Sequence, residues 1–183
     1  MKKIIISLLI LLATTLMVSA DEKSESKDKS KEKAIIDTNA IIWHKYDEGI
    51  KLAEETDRLI MINFTTSWCG YCKKMNRTTF KDPEVVKLLN NEFVSIKVDC
   101  ESKLELDVDG YKITERNLAR SEFGVRSYPV YWFMKSNKEK LAPIKGYRGT
   151  NDFLDALYYI KDELHLKIKW EEYRKQGGHK GEF

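Results

Sequence analysis

The stretch INFTTSWCGYCK, residues 62–73, decides the fold of this chain of 183 residues. It begins inside an apolar run, Leu59 to Phe64, of the kind that forms a strand buried on both faces of a sheet. Cys69 and Cys72 follow that run with two residues between them, and residues 69 to about 80 are expected to be helical. A Cys-x-x-Cys pair at such a strand–helix junction indicates redox chemistry.

The position of the first cysteine favours that chemistry. At the N-terminus of a helix, unpaired amides and the helix dipole stabilise a thiolate, which is the form of cysteine that attacks disulfides. The second thiol lies within the first helical turn, so it can reach back and resolve the mixed disulfide.

Two other interpretations of the cysteine pair stay open at this point, a plain structural disulfide and half of a zinc site. Zinc needs about four ligands, usually from two such pairs. No other residues in the chain are spaced as a second pair; the remaining candidate ligands are Cys100, His44, His165 and His179.

Outward from the motif, helices alternate with strands. A second buried strand is predicted over Phe93 to Val98, and a third follows Pro129 over the aromatic run at residues 130–134. Residues 136–139 are expected to turn the chain into a returning strand, Leu141 to Ile144. Residues 100–113, between the second strand and a later helix, are polar and acidic, with a turn at Asp109-Gly110.

The predicted helices have recognisable starts. Asp82 supplies a cap and Pro83 a first helical residue, while Thr114 and Asn151 cap two later helices. The predicted helices cover residues 38–56, 69 to about 80, 82–91, 114–122 and a last helix from 151 that continues through Trp170 and Tyr173. The order of helix, strand, helix, strand, helix, strand, strand, helix predicts an α/β fold with a central mixed β-sheet flanked by helices.

The N-terminal residues 1–20 have the layout of a secretory signal peptide. Lys2 and Lys3 precede an apolar run, and Val18-Ser19-Ala20 offers small residues where a signal peptidase cuts. The apolar run is short for a bilayer span, which needs roughly 20 residues, so cleavage is favoured over an uncleaved anchor. Residues 21–33 carry no apolar side chain, and we therefore expect residues 21–37 to be a polar disordered tether.

The composition argues against several classes of protein. A net charge of +3, with no basic block interleaved with aromatics, disfavours nucleic acid as a partner. Three cysteines are too few, and odd in number, for a disulfide scaffold. In an exported chain, one adjacent pair and a spare cysteine indicate redox chemistry rather than stapling.

Residues 62–73 resemble the active-site segment of the thioredoxin superfamily. Phe123-Gly124-Val125-Arg126-Ser127-Tyr128-Pro129 resembles the second signature of that family, which ends in a cis-proline, and Gly146-Tyr147 with the last helix resembles its closing segment. The resemblance covers about residues 38 to 165. It is strongest to exported thioredoxin-like proteins, including the soluble thiol domains of electron-transfer systems outside the cytoplasm.

The resemblance implies a thioredoxin-like fold in one domain, residues 38–175, with an insertion before the cis-proline segment and a frayed tail at 176–183. It implies that Cys69 is the nucleophile and Cys72 the resolving thiol of a redox-active disulfide, with no cofactor and no metal. Residues expected to contact the substrate are Trp68, Gly70, Tyr71, Tyr128 and a cis Pro129. Cys100, which opens the insertion, is a candidate third thiol or partner-binding thiol, and otherwise a small semi-buried residue.

Three features depart from the thioredoxin pattern. Asn63 replaces a buried acid that is thought to help deprotonate the resolving thiol, and Ser95 replaces a lysine on the neighbouring strand. Gly-Tyr replaces Gly-Pro between the cysteines, which resembles the active site of periplasmic disulfide isomerases. Either proton transfer in this protein uses water or another group, or the protein is less suited to fast reduction than thioredoxin.

From these observations we expect a monomeric thiol–disulfide oxidoreductase, working as a reductase in the periplasm or otherwise outside the cytoplasm. Its expected partners are disulfide-bearing exported proteins and a membrane or soluble thiol redox partner. The alternatives are a disulfide isomerase or oxidase, and a non-enzymatic thioredoxin-fold protein that binds a partner or carries a metal.

Overall fold

The computed structural model describes residues 39–181. The expected signal peptide at 1–20, the expected tether at 21–37 and the last two residues of the chain lie outside the described residues. Within residues 39–181, no helix combines the length and apolar character needed to cross a membrane.

A five-stranded mixed sheet forms the centre of the domain. Its strands are β1 (Trp43–His44), β2 (Leu59–Thr65), β3 (Phe93–Asp99), β6 (Val130–Met134) and β7 (Lys140–Lys145), in the spatial order β1-β3-β2-β6-β7. Strand β3 runs parallel to β1 and β2, whereas β6 is antiparallel to both β2 and β7. The predicted α/β fold with a central mixed sheet is confirmed.

The helices cover both faces of this sheet. They are α1 (Tyr46–Thr56), α2 (Gly70–Arg77), α3 (Pro83–Glu92), α4 (Glu115–Asn117), α5 (Thr150–Lys161) and α6 (Trp170–Lys175), with a π-helical turn at Leu118–Glu122 and 3₁₀ turns at Thr79–Lys81, Leu164–Leu166 and Gly178–Lys180. A separate hairpin, β4 (Glu105–Val108) and β5 (Tyr111–Thr114), lies in the insertion.

The central position of β2 in the sheet explains why its sequence is almost continuously apolar. Side chains alternate across a strand, and Ile60, Ile62 and Phe64 pack in the core cluster that includes α1. Met61 packs on the opposite face, in the cluster formed with α3 and α5. Because both faces are covered by helices, a polar side chain on either face would be buried, which selects an apolar run.

The chain before α1 is extended, so the helix predicted over residues 38–56 is wrong for its first part. The side chain of Asn90 holds this segment: its Oδ1 accepts a hydrogen bond from the Ile42 amide at 3.0 Å, and its Nδ2 donates to the Ala40 carbonyl at 2.9 Å. Trp43 and His44 then pair with β3 as a short edge strand. The helix starts only at Tyr46.

Helix α1 packs on β3 through a glycine. A Cβ atom added to Gly49 would lie 2.4 Å from Cγ1 of Ile96, which is fully buried. Because real Cβ atoms do not approach so closely, any larger residue at this position forces the helix away from the sheet. Gly49 therefore sets the distance between α1 and the strand that ends beside the cysteine pair.

The capping residues predicted from the sequence are found at the starts of α3 and α4. Asp82 Oδ1 accepts hydrogen bonds from the amides of Glu84 and Val85, at 3.0 and 3.2 Å. Thr114 Oγ1 accepts from the amide of Asn117 at 3.3 Å. The Asp109-Gly110 turn joins β4 to β5, a hairpin that the acidic composition of residues 100–113 did not predict.

The C-terminal region differs from the prediction in two respects. Helix α5 starts at Thr150 with Gly149 as its N-cap, so Asn151 is not a cap, and it ends at Lys161. The predicted continuation through Trp170 and Tyr173 is instead a separate helix, because Glu163 adopts a left-handed conformation with φ of 52°.

Part of the segment expected to fray, residues 176–183, packs against α5 through Asp155. Asp155 on α5 is buried and accepts a hydrogen bond from the His179 amide at 2.7 Å. The same carboxylate contacts the His179 ring and forms an ion pair with Arg174 of α6. Gly178 lies so close to Asp155 that no Cβ would fit there. One buried carboxylate thus fastens both C-terminal elements to α5.

Replacing Asp155 with alanine is expected to lower the free energy of unfolding by about 1–3 kcal/mol, because the variant leaves partly buried donors without their acceptor. Denaturant unfolding followed by far-UV circular dichroism measures the change. Glu55→Ala is the control: Glu55 forms only an exposed ion pair with Lys51, so its loss should cost no more than about 0.5 kcal/mol. Equal losses in the two variants would contradict the fastening role of Asp155.

Candidate active site

The cysteine pair lies where β2 gives way to α2. Cys69 is the N-cap of α2 and forms a disulfide with Cys72, with an S–S distance of 2.04 Å. The Cys72 amide donates a hydrogen bond to Cys69 Sγ at 3.1 Å. An amide of the first helical turn is therefore aimed at the sulfur of the first cysteine, which is the arrangement that stabilises a thiolate when the pair is reduced.

Exposed aromatic rings surround the disulfide, although both cysteine residues are themselves only 4% exposed. Trp68 and Tyr71 are each 63% exposed. The Trp68 ring contacts the ring of Tyr128 edge-on, with 5.6 Å between centroids, and the Tyr71 ring lies 6.2 Å from that of Tyr147. Gly70, between the cysteines, has no neighbour within 4 Å of the place a Cβ would occupy. The surface over the disulfide is thus open and apolar at its rim.

The register between β2 and β6 places Pro129 at this site. Val130, the first residue of β6, pairs with Phe64 near the end of β2. The Tyr128–Pro129 peptide bond is cis, as the resemblance implied. The Pro129 carbonyl accepts a hydrogen bond from the Gly146 amide at 2.8 Å, so the loop after β7 is joined to the same corner.

The loop after β7 also holds α2 in place. The Arg148 amide donates to the sulfur of Met75 at 3.4 Å, and the Thr79 hydroxyl donates to the Arg148 carbonyl at 2.7 Å. The Lys74 ammonium lies over the ring of Tyr147, in the same loop, 4.2 Å from the ring centroid. Tyr147 was not singled out as a site residue from the sequence, because its approach to α2 depends on the fold.

Cys100 is buried beside the site and is not part of the disulfide. It follows β3 directly, its amide donates to the Thr65 carbonyl at 2.9 Å, and its thiol donates to the Val98 carbonyl, with 4.0 Å between sulfur and oxygen. Burial raises the pKa of the Cys100 thiol to about 12, so the thiol is protonated at neutral pH. With Trp68 and Tyr128 it lines a cavity of about 480 Å³ next to the cysteine pair.

The two uncharged replacements noted in the sequence are both buried. Asn63 and Ser95 are 3% and 2% exposed, and they lie on adjacent strands of the sheet. Neither Asn63 Oδ1 nor Ser95 Oγ has a hydrogen-bond partner among the described residues. The interior behind the disulfide therefore offers amide and hydroxyl groups at these positions, and neither of them titrates near neutral pH.

The histidines are distributed over the fold rather than gathered at the cysteines. His44 lies on the edge strand β1, His165 in a 3₁₀ turn after α5, and His179 against Asp155. Within residues 39–181, no group of three or more histidine, cysteine, aspartate or glutamate side chains is arranged to hold a metal ion.

Three arginines that the sequence analysis did not single out line the cavity next to the disulfide. They are Arg116, Arg120 and Arg126. The four-residue spacing of the first two, within a predicted helix, was the available signal, since residues four apart share a helix face. Only the fold shows that this face is directed toward Trp68 and Tyr128.

A family model of the thioredoxin-like domain matches residues 46–161, well over half of the chain. The chain belongs to this family. The match begins with α1 and ends with the last residue of α5, so it includes the disulfide, the cis-proline and the whole insertion.

Individual relatives of this thioredoxin-like protein agree with the assignment. The thiol:disulfide interchange protein DsbD of Campylobacter jejuni is 34% identical over 98 residues, which are 54% of this chain and 15% of that protein. Thioredoxin-1 of Drosophila melanogaster is 34% identical over 102 residues, 55% of this chain and 77% of that protein. The first curated relatives that the chain matches are much longer proteins, of which it spans between 15% and 36%.

Solved structures share the fold. The solution structure of a thioredoxin from Thermus thermophilus superposes with a TM-score of 0.54 and is 25% identical, covering 79% of this chain and 99% of the other. Nearly the whole of that thioredoxin therefore superposes on the thioredoxin-like protein described here.

Cys100 should resist alkylation in the folded, oxidised protein. Because only thiolate reacts and burial holds the thiol protonated, iodoacetamide should modify Cys100 at least on the order of 100-fold more slowly than in the denatured chain. The rate in the folded protein should still be rising above pH 9, the ordinary pKa of a cysteine. Mass spectrometry of timed samples measures both rates, and equal rates in the folded and denatured protein would refute this burial.

Proposed function

We propose that this protein is a thiol–disulfide oxidoreductase that reduces disulfides of exported proteins through Cys69 and Cys72. The observation that carries the proposal is the hydrogen bond from the Cys72 amide to Cys69 Sγ at the start of α2. That amide stabilises negative charge on the sulfur, and so lowers the free energy both of the attacking thiolate and of Cys69 as a leaving group.

The proposed reaction has two exchanges. In the reduced protein, the Cys69 thiolate attacks one sulfur of the substrate disulfide; that S–S bond breaks, and one substrate thiolate leaves. The Cys72 thiolate then attacks Cys69 Sγ, which breaks the mixed disulfide and releases the second substrate thiolate. The substrate gains two electrons and two protons, the pair returns to its disulfide form, and a thiol redox partner must reduce it again.

The rim of the site fits a polypeptide substrate. Trp68, Tyr71, Tyr128 and Tyr147 present aromatic faces around the disulfide, and such rings contribute large apolar contact at low conformational cost. The absence of a side chain at Gly70 leaves the approach to the sulfurs open. Substrate contact by Trp68, Gly70, Tyr71, Tyr128 and Pro129 is part of this proposal.

Deprotonation of the resolving thiol is proposed to use solvent. Asn63 and Ser95, at the positions of the charged residues of thioredoxin, cannot accept a proton near neutral pH. Solvent at the rim of the site is then proposed to remove the proton from the Cys72 thiol. The rate of the second exchange is therefore expected to rise with hydroxide concentration.

Export and the redox partner belong to the same proposal. The signal-peptide layout of residues 1–20 and the likeness to a protein named DsbD support work outside the cytoplasm, with electrons from a membrane or soluble thiol donor. We propose that the protein acts there as a monomer.

Disulfide isomerisation is the second candidate function. The Gly-Tyr dipeptide favours it, because it lacks the proline that thioredoxin has between its cysteines and because Tyr71 is exposed beside the disulfide. The two functions differ in redox poise: thioredoxin has a potential of about −270 mV and protein disulfide isomerase about −180 mV.

Two cysteine variants test the exchange reaction. With a fluorescence-quenched disulfide peptide and a thiol donor, Cys69→Ser should reduce turnover to the uncatalysed rate, because the attacking thiolate is missing. Cys72→Ser should accumulate a mixed disulfide at Cys69, visible by mass spectrometry without reductant. Glu55→Ala, on the exposed side of α1, is the control for handling and folding. Full turnover by Cys69→Ser would contradict the proposal. Equilibration with glutathione measures the reduction potential of the Cys69–Cys72 pair and so distinguishes a reductase from an isomerase.

Export is tested by the mass of the protein recovered from outside the cytoplasm of an expressing bacterium. We expect a chain that begins at Asp21, because cleavage after Ala20 follows the small-residue rule. A version without residues 1–20 is the control and should stay in the cytoplasm. Recovery of the protein in the membrane with Met1 retained would contradict cleavage and show that residues 1–20 act as an uncleaved anchor.

A further inference from the structure

A basic cavity opens beside the disulfide. Its volume is about 480 Å³, and Trp68 and Tyr128 form the wall nearest the cysteine pair. Three arginines, Arg116, Arg120 and Arg126, line it together with Cys100, Glu101 and Val125. Volumes of this order, about 300–1,000 Å³, are those of small-ligand pockets, so the cavity has room for one or two amino-acid side chains.

The arginines of this cavity are not neutralised by their surroundings. None of the three forms an ion pair with another described residue, and Arg116 Nε is buried without a hydrogen-bond partner. Glu101 is the one acidic residue among those that line the cavity, so three cations face one anion. The Glu101 carboxylate is also within 3.5 Å of the Ser67 hydroxyl, on the side of the cysteine loop.

Two of these arginines follow the insertion directly. Arg116 lies on α4 and Arg120 on the π-helical turn that follows it, while Arg126 lies within the segment that ends in the cis-proline. The cavity therefore adjoins Tyr128, a residue that is proposed to contact the substrate. A side chain next to the reacting cysteine of a substrate would be directed into it.

We infer that this cavity is a specificity subsite for acidic peptide substrates, in which a glutamate or aspartate flanking the substrate cysteine binds Arg116, Arg120 and Arg126. Guanidinium groups match carboxylates with paired hydrogen bonds. The rings of Trp68 and Tyr128 provide apolar contact for the stem of the acidic side chain. The inference rests on the proposed function, because the subsite selects substrates for Cys69.

Binding is measured first, without any exchange reaction. Two peptides are used, identical except that Glu residues flank the central position in one and Gln in the other, with serine in place of cysteine. The oxidised full-length protein should bind the Glu peptide on the order of 10-fold more tightly at low salt, from several partly exposed ion pairs. At 1 M salt, where the screening length is about 3 Å, the preference should disappear.

Variants that remove one positive charge each show which arginines cause the preference for the Glu peptide. Arg116→Gln, Arg120→Gln and Arg126→Gln should each reduce the Glu-to-Gln binding ratio by about 2- to 5-fold. Arg77→Gln is the matched control, because Arg77 is an exposed arginine at the end of α2 and is not among the residues that line the cavity. Arg120 and Arg126 are exposed, so their variants remain informative if Arg116→Gln fails to fold.

The outcomes separate this inference from the proposed function. Equal binding of both peptides by the wild-type protein at low salt would overturn the subsite, and so would a preference that survives in all three variants but is lost in Arg77→Gln. Disulfide-bridged versions of the same peptides then test turnover. A charge preference in binding with no Cys69-dependent turnover would leave the acidic subsite standing and remove the proposed reductase function.

Discussion

The junction between a buried strand and a helix is the constraint on which the site depends. Strand β2 is covered on both faces, so its end is fixed by packing of the core rather than by the loop that follows. Helix α2 begins a few residues later, and its free amides are therefore held beside Cys69. The electrostatic surroundings of the Cys69 sulfur are therefore set by the backbone of α2, through the Cys72 amide.

Sequence patterns predicted the elements whose signals are local. The apolar run of β2, the capping of α3 by Asp82 and the turn at Asp109-Gly110 each depend on a few neighbouring residues, and each is found in the structure. The extended segment before α1 and the order of the C-terminal residues depend on the side chains of Asn90 and Asp155, which lie far away in the chain. The periodicity of a short stretch of sequence cannot predict contacts between residues that are far apart in the chain.

The same distinction applies to the site. The cysteine pair and the cis peptide bond at Pro129 followed from a motif and a family resemblance, because both are carried by short contiguous stretches. Tyr147 and the three arginines of the cavity lie between 44 and 78 residues away from the cysteines in the sequence, and only the sheet register and the packing of the chain after β3 bring them together.

The two edges of the central sheet limit how copies of this protein can associate. At one edge, β1 is only two residues long. At the other, β7 has Pro143 in its interior, which removes a backbone donor, and exposed lysines at both ends. Short strands, prolines and lysines are the features with which natural sheets resist edge-to-edge pairing. The described sheet is thus poorly suited to growth by addition of a second chain at either edge.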